Sequence, residues 1–195
     1  MARTKEFDED AVLLKAMLLF WEQGYEKTSM QDLVTCMGIH KGSLYDTFGD
    51  KHSLYIRALK KYIDMFDQVV KRPVMRRMAD TNSAKEAIRF ILEMIVQPES
   101  GIPDGCFMVN TATELAKQDP ISKDLVLLGW ANFEQFLREI IEEGQQSGEI
   151  SKTLSAEFLS YYFNNTLVGL RVLVKALSEK DKFEHIINMN LSVLD

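Results

Sequence analysis

The sequence predicts an all-α protein of about nine helices, in which an N-terminal three-helix domain carrying a helix-turn-helix is joined by a long helix to a C-terminal helical domain. Three observations carry this reading. Apolar residues recur at three- and four-residue steps along the chain, and no convincing alternating strand pattern interrupts them. Only four prolines and ten glycines break the 195 residues, which leaves room for long helices. Between residues 28 and 48, two short helical patterns flank Gly38, the shape of a helix-turn-helix.

The first segment, from about Asp8 to Gln23, sets Val12, Leu13, Ala16, Met17, Leu19 and Phe20 on one face, and Gly24 can take a left-handed cap. Thr28-Ser29-Met30-Gln31 reads as a capping box, a hydroxyl followed three residues on by an amide, and opens a short helix that runs to Met37. Gly38 supplies the turn and Ile39 plugs its corner. A second short helix, Lys41 to Phe48, turns Leu44 and Phe48 inward. Asp50 suits the N-cap of a long helix from Lys51 to Lys71, which Pro73 is expected to end. Its apolar stripe is Leu54, Tyr55, Ala58, Leu59, Tyr62, Met65 and Phe66. Further helices are expected over 83–96, 106–117, 122–146, 155–177 and 182–193, with 98–105 as the longest loop. No Ser/Gly-rich linker is present, so the junction falls within the long helix: residues 1–50 form the reader and 51–195 the second domain.

Composition excludes several classes. A hydrophobic fraction of 46% suits a packed core and not a disordered chain. No apolar run nears the roughly 18 residues of a membrane span, and the opening MARTKEFDED turns acidic too soon for a secretory or transit signal. Cys36 and Cys106 make neither a disulfide framework nor a metal-ligand spacing. A cytoplasmic protein with reduced thiols, no metal and no cofactor is therefore expected. Glu-x-x-His pairs, a nucleophile elbow and a phosphate loop are all missing, and His40, His52 and His185 are scattered, which argues against an enzyme.

The net charge of −6 hides a local excess of base. From Lys27 to Lys61 the cations are Lys27, Lys41, Lys51, Arg57, Lys60 and Lys61, against Asp32, Asp46 and Asp50. A second short helix in such a unit enters a DNA major groove by its N-terminal end, here His40-Lys41-Gly42-Ser43. Lys41 suits a phosphate or a guanine edge, Ser43 a base or a phosphate, and Gly42 leaves the backbone free to approach. Tyr45 lies one turn further with a phosphate-seeking hydroxyl. Lys51 starts the next helix, where charge and backbone amides act on an anion together. Thr28 and Gln31 open the first short helix within reach of the DNA backbone or a flanking base.

Phe20-Trp21-Glu22-Gln23-Gly24-Tyr25, Thr28-Ser29-Met30-Gln31-Asp32-Leu33, Gly38-Ile39-His40-Lys41-Gly42-Ser43-Leu44-Tyr45, then Phe48 and Lys51 through Leu54, resemble the N-terminal signature of TetR-family regulators. The resemblance covers about Val12 to Leu59. It implies an all-helical homodimer that binds a double-stranded operator with its N-terminal domains and holds a small-molecule inducer in its C-terminal domain. It also implies that Thr28, Lys41, Tyr45 and Lys51 touch phosphate or sugar, and that Gln31, His40, Gly42 and Ser43 sit where the family reads bases. The family usually has serine or threonine where His40 stands. Histidine is a poorer N-cap, so it is either a pH-sensitive contact or an exposed turn residue.

In the second domain the segments at 155–177 and 182–193 are apolar on wide faces and are expected to pair across a two-fold axis; the reading helices of a two-fold dimer lie about 34–36 Å apart on DNA. An inducer pocket is expected among Phe90, Met94, Phe107, Asn110, Thr111, Glu114, Trp130, Phe133 and Phe163, each of which also suits ordinary core. Asn110 and Glu114 share a helix face and need polar partners. Cys106 opens a helix, where a thiol becomes more acidic; it reads either as a redox or electrophile sensor or as a small buried hydrophobe. The reading that follows is a ligand-responsive regulator, most naturally a repressor released from a palindromic operator by its inducer. The competing readings are a redox- or electrophile-responsive regulator and a helical ligand carrier that binds no DNA.

Overall fold

Asp8 starts α1 (Glu9–Gln23) by accepting the backbone N–H groups of Asp10 and Ala11, and Gly24, at φ 84°, ends it. The computed structural model describes residues 7–97 and 101–195. The first three positions of the expected 98–105 loop therefore lie outside the described residues. α2 (Met30–Met37) is opened by a capping box one residue later than expected. Ser29, not Thr28, is the N-cap, and Asp32, not Gln31, returns the bond: Asp32 N–H donates to Ser29 Oγ at 3.1 Å and Ser29 N–H to Asp32 Oδ2 at 2.9 Å. Gly38, left-handed at φ 70°, turns the chain into α3 (Lys41–Phe48). Asp50 caps α4 (Lys51–Asp64) through Ser53 N–H at 2.7 Å.

Pro73 does not stop the helical path. A π turn, Asp67–Lys71, interrupts it, and α5 (Arg72–Thr81) then begins with Pro73 in its first turn. Pro73 stands in the first turn of α5, where α bonding restarts after the π turn, the helical position that proline tolerates best. α6 (Ala84–Val96) is capped by Ser83, and Glu149 accepts Ala84 N–H at 2.7 Å. α7 (Phe107–Glu114) stops three residues before its expected end. α8 (Pro120–Ser147), α9 (Ala156–Leu173) and α10 (Lys180–Leu191) complete the α-helices among the described residues.

Two apolar clusters hold the chain together. One joins α1 to α4 and reaches Cys106, α7, Leu115 and Val126. The other packs α5, α6, α8, α9 and α10 around Leu92, Leu137, Phe163 and Leu167. The expected division after residue 50 runs through the first cluster, since Leu54, Tyr55, Ala58 and Leu59 of α4 are wholly buried in it. The reader is thus fused to α7 by shared core, with no flexible seam.

Candidate DNA interface and the cavity behind it

α3 offers its N-terminal edge outward. His40, Lys41 and Gly42 are exposed, Ser43 is half-buried, and Leu44 and Phe48 anchor the helix below. His40 makes no side-chain cap bond, so its ring is free for another partner. An added Cβ on Gly42 would meet nothing within 4 Å, so the glycine serves no packing need inside the protein. Tyr45 is 44% exposed, with Lys41 Nζ 6.0 Å from its ring centre. Gln31 is exposed on α2. Lys51 Nζ lies 4.3 Å from the Tyr25 ring centre and 3.5 Å from Glu26 O, a cation–π seat that holds the ammonium at the start of α4.

Thr28 departs from expectation. It is wholly buried, and its hydroxyl donates to Gly24 O at 2.6 Å. Its side chain locks the turn after α1 and does not face outward.

Behind the reader lie two adjoining chambers of about 320 and 550 Å³, within the size range of small-molecule sites. Trp21, Tyr62, Val69, Val70, Ile102, Phe133 and Arg171 line both. The smaller chamber adds a mostly apolar wall, with Leu14, Met17 and Leu18 of α1, Ile63 of α4, Met108 of α7 and Asn132 of α8 among its residues. Of the nine expected lining residues, Phe90, Met94 and Phe133 reach this space. The other six do not, and each has a different physical assignment. Phe107 is packed edge-on between Tyr55 and Tyr62, with ring centres 5.2 and 5.8 Å away. Thr111 is bonded to Tyr55 Oη at 2.8 Å. Asn110 donates to Trp21 O at 2.8 Å and accepts from Lys175. Glu114 accepts Tyr25 N–H at 2.8 Å and Glu26 N–H at 2.7 Å. Trp130 packs against the first cluster and Phe163 is buried in the second. Asn110 and Glu114 thus find the partners their polarity demanded, but in the backbone that leads into the reader.

Residues the sequence reading missed are Trp21, Tyr62, Val69, Val70 and Arg171. Arg171 had a signal: it is the lone charge in the stretch from Ser160 to Val174. Cys106 is wholly buried, and its Sγ accepts the Tyr62 hydroxyl at 3.3 Å. Burial, and after it the Cys106 thiol, push the Tyr62 hydroxyl well above the usual tyrosine range, against the pull of Arg171.

A second joint ties α4 to α8. His52 Nε2 lies 2.9 Å from Asp119 Oδ2. Burial raises the Asp119 carboxyl, but hydrogen bonds from Ser122 and His52 outweigh it and hold the group below the ordinary carboxylate value.

Residues 12–58 match the model of the bacterial regulatory proteins of the tetR family, and residues 85–189 match that of the tetracyclin repressor-like C-terminal domain. The chain belongs to the TetR family. It is an all-α transcriptional regulator of that family and not an enzyme. It is 35% identical to the HTH-type transcriptional regulator YezE of Bacillus subtilis, with the whole of both chains covered. It is 29% identical to the HTH-type transcriptional repressor ComR of Escherichia coli, over 97% of this chain and 90% of that one. In structure this TetR-family chain is similar to a cysteine-substituted CifR bound to 26-base-pair operator DNA, with a TM-score of 0.84, 26% identity and all of both chains covered. Among the described residues, no helix is long and apolar enough to cross a membrane, and no group of three or more His, Cys, Asp and Glu side chains could hold a metal.

Proposed function

We propose that this regulator is a cytoplasmic homodimeric repressor that leaves a palindromic operator when a small molecule fills the cavity behind its reader. One observation supports this above the others: Leu14, Met17, Leu18 and Trp21 of α1, and Tyr62 and Ile63 of α4, are cavity wall and reader scaffold at once. A ligand that displaces them moves the helices on which α2 and α3 are seated. A coupling of about 1–3 kcal/mol between the sites is enough to release DNA by fivefold or more. The residues assigned to DNA are Gln31, His40, Lys41, Gly42, Ser43, Tyr45 and Lys51. Pairing of two copies through α9 and α10 is favoured by the outward apolar groups Phe158, 63% exposed, Tyr161, Tyr162, Val172 and Met189, 73% exposed.

The test is selection of bound duplexes from a random pool with the full chain, followed by gel retardation at low salt, where phosphate contacts are strongest. A palindrome with half-sites one helical turn or a multiple apart is expected; no retardation at low salt overturns the proposal. Phe158→Asp with Met189→Asp is expected to yield a monomer by sedimentation and to lose operator affinity.

A second reading, response through the Cys106 thiol, is favoured by the bond from Tyr62, whose ring lines the cavity, to Cys106 Sγ. A response to oxidants or electrophiles that survives Cys106→Ser unchanged overturns it.

A further inference from the structure

We infer that the cavity takes an amphipathic organic anion, an apolar body bearing one carboxylate or sulfonate, whose charge sits against Arg171. This rests on the reading that the cavity is the effector site and adds the class of the effector.

Among the described residues that line the smaller chamber Arg171 is the one charged group, and it borders the larger chamber as well. Its guanidinium lies 5.7 Å from the Phe133 ring centre and has no carboxylate within ion-pair distance among the described residues. Arg57, Arg72, Arg77, Arg89 and Arg138 each have one. Arg76 has none either among the described residues, but it is exposed, whereas Arg171 is half-buried beside an apolar hole. The larger chamber's carboxylate, Glu93, faces Arg89 at 4.0 Å.

A guanidinium is always charged and presents five N–H donors in a planar fork that matches a carboxylate or sulfonate. Held at the edge of an apolar wall with no counter-ion among the described residues, it carries a desolvation cost that an incoming anion offsets. A cationic ligand would meet repulsion there, and a neutral one would leave the fork unmatched. The aromatic wall of Trp21, Tyr62, Phe66 and Phe133 suits a flat or branched apolar body. Asn132 adds a polar group to that wall.

Two fluorescent probes of one skeleton separate the outcomes: 1-anilinonaphthalene-8-sulfonate and its uncharged parent, N-phenyl-1-naphthylamine. Each is titrated into the intact full-length regulator, into Arg171→Gln, Arg171→Lys, and into Val70→Trp, which fills the cavity. The sulfonate is expected to bind wild type about tenfold or more tighter than the neutral parent, the scale of a charge-assisted hydrogen bond. Arg171→Gln is expected to erase that preference while leaving the neutral probe's affinity in place, and Arg171→Lys to keep part of it. Val70→Trp is expected to weaken both probes. Equal binding of the two probes by wild type, or a preference that survives Arg171→Gln, overturns the anion inference while leaving the cavity as effector site. Binding of both probes that Val70→Trp does not weaken overturns the effector site itself.

Discussion

The carboxylate of Glu114, at the end of α7, accepts the backbone N–H of Tyr25 at 2.8 Å and, with its other oxygen, that of Glu26 at 2.7 Å. A single side chain of the second domain thus holds the turn between α1 and α2, inside the reader. Gly24, at φ 84°, makes room: a Cβ there would come within 2.9 Å of Glu114 Oε2.

Glu114→Ala is therefore expected to destabilise the fold by about 1.5–3 kcal/mol, the range for hydrogen bonds to a charged group. Denaturant unfolding measures it. Gly24→Ala is expected to destabilise as well, through both the positive φ and the crowding. Wild-type stability in both variants would show that the clasp contributes nothing.

Thr111→Val keeps the shape of the side chain but leaves the Tyr55 hydroxyl, wholly buried, without its partner at 2.8 Å. The expected cost is about 1–3 kcal/mol. Removing both hydroxyls, with Tyr55→Phe added, is expected to restore part of the loss, which a double-mutant cycle reads directly.

On DNA, Tyr45→Phe and Lys51→Ala are expected to weaken all sequences alike, with Lys51→Ala also lowering the salt slope by about one. Ser43→Ala is expected to change which sequence is preferred. Binding measured against the selected operator and against random duplex decides; the reverse pattern would mean that the contacts are exchanged.

The Asp119 carboxyl is held below its ordinary value in the folded protein. A depressed acid contributes stability that is fully present above its unfolded value, about 3.9, and is lost as pH falls through the lower folded value. The regulator is expected to lose part of its stability below about pH 4, and Asp119→Asn to flatten that acid limb. An unaltered limb in Asp119→Asn would remove Asp119 from the account.

Local features of the reader were legible in the sequence. The bounds of α3 and the Asp50 cap follow from glycine and carboxylate positions within a few residues of each helix end. Where local patterns were degenerate they misled: Thr28 and Ser29 both offer a hydroxyl, and Gln31 and Asp32 both an acceptor, so burial of Thr28 against Gly24 had to decide between them. The cavity was legible only in part, because its walls come from α1, α4, α6, α8 and α9, which meet by tertiary packing. Asn110 and Glu114 were singled out correctly as needing partners, yet those partners lie 88 and 89 positions away in sequence. Pro73 looks like a stop in the sequence because a π turn ahead of it leaves no periodic trace.

That π turn also changes what the rod between the two halves can do. A turn with i→i+5 bonding stores a residue that an α-helix would have no place for. Release of it into α geometry re-phases everything downstream by about 100° in one step. Val69 and Val70, within the turn, border both chambers. A molecule lodged there rests on a stretch of the rod whose backbone bonding departs from the α repeat, so its contact falls on a joint and not on a uniform shaft.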